Sequence, residues 1–240
     1  MKTAITFIFS LLFCFVLNAQ FGVSAKFEKN NYREWSEVIQ NPAGVNFEND
    51  PLHRRDLTIG VNYWHRLKQY RVEFLPEVTY TLNNTETNVN GLTTINEVEF
   101  GLSRIGFQYN TLLYPMDLEG DCNCPTWGKD GDFLKKGLFF MLSPGVDYMF
   151  HTSVLDGVES ANNSLAFKIG IGGGVDIGIS KVLTLSPFVM VNFHPSVSSR
   201  LINDTRGLAC PECDLVALDD TFNSQISAGI RLHLRPDYKY

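Results

Sequence analysis

Polar and apolar residues alternate along this chain. Between Leu165 and Ile179, the residues Leu165, Phe167, Ile169, Ile171, Val175, Ile177 and Ile179 share one parity. Ala166, Lys168, Gly170, Gly172, Gly174, Asp176 and Gly178 share the other, and Gly173 alone interrupts the apolar set. A repeat of two is the signature of a strand with one apolar face and one small or charged face. A helix would scatter the same residues around its circumference, and its glycines would each cost about 1 kcal/mol.

The same pattern predicts seven further strands: Phe21–Lys26, Thr58–Trp64, Arg71–Thr81, Ile95–Tyr109, Leu138–His151, Leu183–His194 and Ile226–Arg235. Within Ile95–Tyr109 the apolar parity changes phase, from Val98, Phe100 and Leu102 to Ile105, Phe107 and Tyr109. This reads as a β-bulge near Ser103-Arg104. An even number of strands, with no long amphipathic helix between them, predicts an all-β, eight-stranded antiparallel up-and-down β-barrel. Short turns are expected at His65–Gln69 and Ser180-Lys181. Longer loops are expected at Asn30–Leu57, Leu82–Leu92, Thr152–Asn163 and Pro195–Thr221, and Asp117–Lys136 is also long.

Alternation alone does not decide which face points outward. Composition does. Charged residues make up 19% of the 240, apolar residues 44%, and there are 18 Phe against 3 Trp; soluble domains average about 25% charged. A soluble calyx binding a small apolar ligand needs a charged exterior, and glycines on a solvent-facing surface only weaken a strand. In a narrow barrel the inward side has little room, so glycines belong there. The apolar parity then faces lipid, and the barrel is transmembrane. Lys26, Arg71, Glu73, Glu77 and Glu99 become lumen-facing, as do Asp147, Lys168, Asp176 and Arg231. Their mixed signs allow them to pair and plug the interior. Tyr70 and Tyr80 would lie roughly 25 Å apart along the membrane normal, about the height of the apolar band of such a barrel. A net charge of −6 gives no electrostatic reason to expect nucleic acid as a partner.

The N-terminus reads as a signal peptide over residues 1–19: Lys2, an apolar run from Ala4 to Leu17, then Ala19 before the cut. Residues 20–240 form the barrel domain. Export makes Cys122, Cys124, Cys210 and Cys213 candidates for disulfides, in any of three connectivities, once Cys14 leaves with the signal. Strand counting puts the close pairs Cys122/Cys124 and Cys210/Cys213 on opposite sides of the membrane, so each pair would close locally or stay reduced. A zinc site is the alternative, although Cys-x-Cys is an unusual zinc spacing.

The signal ending Asn18-Ala19-Gln20, the alternating strands and the last strand together resemble the small outer-membrane β-barrel proteins of Bacteroidota, similar to OmpX/OmpA-like and PorT-like barrels. Ser227, Gly229, Leu232 and Leu234 match the assembly signal of such barrels, although Arg235–Tyr240 follows where the usual form stops. Asp121-Cys122-Asn123-Cys124-Pro125-Thr126-Trp127 also looks like a motif of these barrels. The resemblance implies an integral protein of the cell outer membrane, not an enzyme and without a cofactor. It implies a structural, accessory or surface-interaction role. The implied partners are outer-membrane lipid, the outer-membrane assembly machinery and other envelope proteins.

One alternative is enzymatic. His194-Pro195-Ser196 has the His-x-Ser spacing of barrel lipid A deacylases, with Glu212 available to orient the histidine. A local pair without its third group is not a triad. Glu73 and Glu77 lie four residues apart on one strand, roughly 13 Å, too far for a carboxylate dyad.

Overall fold

A computed structural model describes residues 20–31, 46–47, 55–67, 72–90, 95–115, 137–155, 158–179, 183–198 and 221–234. Eight long strands carry the fold: β1 (Phe21–Asn31), β3 (Arg55–Tyr63), β5 (Val72–Asn90), β6 (Ile95–Leu113), β7 (Leu138–Leu155), β8 (Val158–Val175), β10 (Leu183–Val197) and β11 (Thr221–Leu234). Three short segments extend their neighbours: β2 (Asn46–Phe47) and β4 (His65–Leu67) pair with β5, and β9 (Ile177–Gly178) pairs with β10. The long strands pair antiparallel in chain order, and β11 pairs with both β1 and β10. The sheet therefore closes on itself as an eight-stranded up-and-down barrel, and closure removes the sheet edges that lipid could not satisfy.

Burial along each strand is inverted relative to a soluble protein. Phe27 and Phe167 are each 67% exposed and Leu165 is 59% exposed, while Arg231, Asp147 and Glu77 are 0% exposed. A soluble calyx would bury the first set, so this pattern excludes it. The barrel is a transmembrane one, with its apolar parity turned to the lipid. Tyr70, the lower mark of the expected apolar band, lies outside the described residues. Phe140 and Phe150 on β7 give the same measure on the outer face: ten residues apart, roughly 25 Å along the normal. Aromatic pairs gather near both ends. Phe21–Tyr63 and Phe74–Tyr109, at 5.8 and 5.5 Å, lie toward the end that holds Phe21 and Leu234, here called the terminal end. Tyr148–Phe150 and Phe193–Phe222, at 4.8 and 6.1 Å, lie toward the far end.

Four expectations are corrected. The register of β5 with β6 runs unbroken from Val72↔Leu113 to Asn90↔Ile95, so there is no bulge at Ser103-Arg104. The same pairing makes most of the expected loop Leu82–Leu92 strand. Likewise, β7 and β8 pair out to Leu155↔Val158, inside the expected loop Thr152–Asn163. The turn expected at His65–Gln69 begins later, because His65, Arg66 and Leu67 pair with Phe74, Glu73 and Val72. Among the described residues the register shifts between His194 and Val197, where β10 meets β11.

Prolines leave their own mark on the ladder. Pro144 has no N–H to give, and the β6–β7 pairing skips from Gln108↔Gly145 to Thr111↔Leu142. The inward side chain of Asn110, beside this gap, bonds instead to Leu75 O at 3.1 Å.

Candidate functional site: the barrel lumen

Inward glycines create the space in which the lumen's side chains meet. A Cβ on Gly60 would lie 2.6 Å from both Glu77 Oε1 and Ser24 Oγ, and one on Gly106 would lie 2.4 Å from Asp147 Oδ1. Both glycines sit where a carboxylate crosses the barrel, so the steric role is local and specific.

Midway along the lumen, Glu77 of β5 gathers donors from three other strands. Ser24 Oγ donates to Oε1. Gln108 Nε2 donates to Oε2, as do Asn110 Nδ2 at 3.0 Å and Lys26 Nζ at 3.4 Å. Arg231 NH2 lies 4.0 Å from the same oxygen. A carboxylate taken out of water stays ionised only with such compensation.

Toward the far end a second network spans the barrel. Arg104 of β6 joins two carboxylates: its NH2 donates to Glu28 Oε2, and its Nε lies 3.7 Å from Asp147 Oδ2. Glu28 Oε2 also accepts Thr58 Oγ1 at 2.6 Å and Gln225 Nε2 at 3.0 Å. Asp147 Oδ1 accepts Lys168 Nζ at 2.6 Å, and its Oδ2 lies 3.0 Å from His194 Nε2. The chain Glu28–Arg104–Asp147–Lys168 ties β1, β6, β7 and β8 together in alternating charge.

The terminal end is different. Trp64, Leu75, Leu112, Tyr114, Phe139, Met141, Phe188 and Met190 form a buried apolar cluster inside the barrel. Its few polar atoms are tied at the edge. Trp64 Nε1 donates to Glu73 Oε2 at 2.7 Å. The Tyr114 hydroxyl lies 2.9 Å from the same oxygen and 3.0 Å from Asp176 Oδ2, and Ser186 Oγ donates to Asp176 Oδ1. Arg231 covers the upper side of the cluster. Its guanidinium lies 4.7 Å from the Phe188 ring centroid, and its NH2 is 3.7 Å from Met141 Sδ.

Of the residues expected to face the lumen, Lys26, Glu73, Glu77, Asp147, Lys168, Asp176 and Arg231 are all buried. Lys26, Glu77 and Arg231 meet in one group, Asp147 and Lys168 in another, and Glu73 and Asp176 in a third. Arg71 lies outside the described residues, as does the side chain of Glu99. Glu28 and Arg104 escape the sequence reading, because β1 was expected to stop at Lys26 and the supposed bulge hid the parity that Arg104 shares with Gly106 and Gln108.

The other expected sites divide the same way. In β11, Ser227 is buried, while Leu232 and Leu234 are exposed on the outer face. Cys122, Cys124, Cys210 and Cys213 lie outside the described residues, as do residues 1–19. Among the described residues no group of three or more His, Cys, Asp and Glu could hold a metal ion. His194 is buried against Asp147, whereas Ser196 is exposed, and Glu212 lies outside the described residues.

No family model matches the chain, and no curated protein matches its sequence. Solved structures similar to it include Neisserial surface protein A, with TM-score 0.45 and 12% identity, covering 89% of this chain and 96% of that one. Ail, the attachment invasion locus protein of Yersinia pestis, has TM-score 0.44 and 7% identity over 90% of this chain and 99% of that one. The N-terminal β-barrel domain of Pseudomonas aeruginosa OprF has TM-score 0.38 and 8% identity, again over 90% and 99%.

Proposed function

We propose that this is an integral barrel of the bacterial outer membrane whose role is structural, accessory or surface-binding rather than catalytic. The observation that carries the reading is the inverted burial: an apolar exterior around a charged, internally bonded lumen. Eight strands leave an interior that side chains can fill, which disfavours a general pore. Binding then falls to the segments at the far end, because loops on a rigid scaffold are where recognition usually resides. The partners are outer-membrane lipid, the assembly machinery that would read Ser227, Gly229, Leu232 and Leu234, and other envelope proteins.

The deacylase alternative has less support. His194 is bonded to Asp147 inside the barrel, and Ser196 is exposed beside it on the same strand. Exchange of Ser196 for Ala is expected to leave lipid A acylation unchanged, and a loss of deacylation would restore the enzymatic reading.

Fractionation tests the main proposal. The protein should stay with outer membranes through an alkaline wash. It should also run faster on a gel unheated than heated, as a folded barrel does. Release into the soluble fraction would refute it.

A further inference from the structure

The two halves of the lumen differ in what they offer a passing ion. At the far end, buried polar atoms have no bonding partner: Nδ1 of His194, both amide atoms of Asn223 and Oδ1 of Asn192. Asn223 faces His194 across the β10–β11 pair, so these groups are neighbours. Unpartnered buried groups of this kind take up ordered water. The terminal half also holds such atoms, on Asn62 and at Nε and NH1 of Arg231, but apolar side chains fill its cross-section. Trp64, Leu75, Leu112, Phe139, Met141 and Phe188 come from β5, β6, β7, β10 and the residue between β3 and β4, and they pack on one another across the lumen. Gly174 of β8 admits them, since a Cβ there would lie 2.6 Å from the Phe139 ring. The side of the barrel that the cluster leaves open is closed by Arg231, laid over Phe188.

We infer that this apolar layer is the permeability seal of the barrel, and that the charge network at the far end is not. The inference deepens the filled-lumen reading above and rests on it. An ion entering between Leu75, Leu112, Phe139 and Phe188 would lose its hydration shell among apolar side chains, while the carboxylates of Glu73 and Asp176 at the edge of the layer are already held by Trp64, Tyr114 and Ser186; a constriction of this kind excludes ions by dewetting. In the charge network, by contrast, water and ionised groups can replace that shell. The fold thus confines its barrier to one end and leaves the other wet.

Ion conductance across planar lipid bilayers in concentrated potassium chloride tests this with the full mature chain. The unmodified protein should show no steps above leak. The double variant Leu75→Gly and Phe139→Gly should raise conductance roughly tenfold or more by opening the layer. Asp147→Asn, which weakens the far-end network, should stay silent. Gel mobility before and after heating establishes that each variant is folded. Met141→Ala provides a milder opening of the same layer should the double variant fail to fold, and it too should conduct. Steps from the unmodified protein, a silent folded Met141→Ala, or steps from Asp147→Asn would each overturn the inference. Failure of the membrane reading itself would appear separately, as protein that never enters the bilayer or the membrane fraction.

Discussion

The terminal and far halves of the lumen are built by the same strands on the same inward parity, yet they hold together by different physics. The terminal half is filled by dispersion and apolar burial around Leu75 and Phe139. The far half is held by the alternating charges Glu28, Arg104, Asp147 and Lys168. The difference predicts contrasting responses to substitution. Apolar packing degrades with the volume removed and tolerates swaps of similar size. A buried charge network fails when one partner leaves, because the other charges stay behind.

The largest effect should come from breaking the far half. Asp147→Ala leaves Lys168 and Arg104 facing each other without their shared carboxylate and should cost about 3–5 kcal/mol in denaturant unfolding from lipid vesicles. Removing Lys168 as well, as Met, should recover part of that loss; no recovery would mean that the pair is not coupled. Leu75→Ala should cost about 2–5 kcal/mol by cavity formation, whereas Leu75→Met should cost less than about 1.5. Equal losses for the two would contradict packing as the basis of the terminal half. On the outer face, Phe167→Arg should cost about 2–4 kcal/mol if the residue lies near the bilayer midplane. Among the disruptive substitutions the smallest effect is expected at Gly106→Ala, whose Cβ would press on Asp147 Oδ1 and Thr79 Oγ1, at about 1–3 kcal/mol.

The barrel is legible in the sequence where lipid enforces it. Between the two membrane surfaces every outward residue must be apolar, so strands such as Leu165–Ile179 announce themselves. Beyond the lipid that constraint lapses. Asn83 to Asn90 continue β5 with mostly polar residues, and such a stretch reads as loop although its backbone pairs fully with β6. The apparent bulge at Ser103-Arg104 has the same cause, since the parity of apolar residues changes while the pairing does not. Inside the barrel, charges were easier to find than the apolar layer. Phe139 and Met141 lie within the run Leu138–Leu142, apolar on both parities, where alternation gives no direction. Such a run signals a strand buried on both sides, and here one side is lipid and the other the sealed end of the lumen.

The central claim is that the chain is an inverted barrel, and oxygen accessibility of spin labels tests it most directly. Labels at Phe167, Ile171, Val189 and Ile230, placed one at a time in protein free of other cysteines and reconstituted in lipid vesicles, sit on the outer face. Each should be relaxed strongly by oxygen, which concentrates in lipid, and weakly by a water-soluble nickel chelate. Labels relaxed by the chelate, or by neither reagent, would place these residues in water or in a closed core and contradict the account.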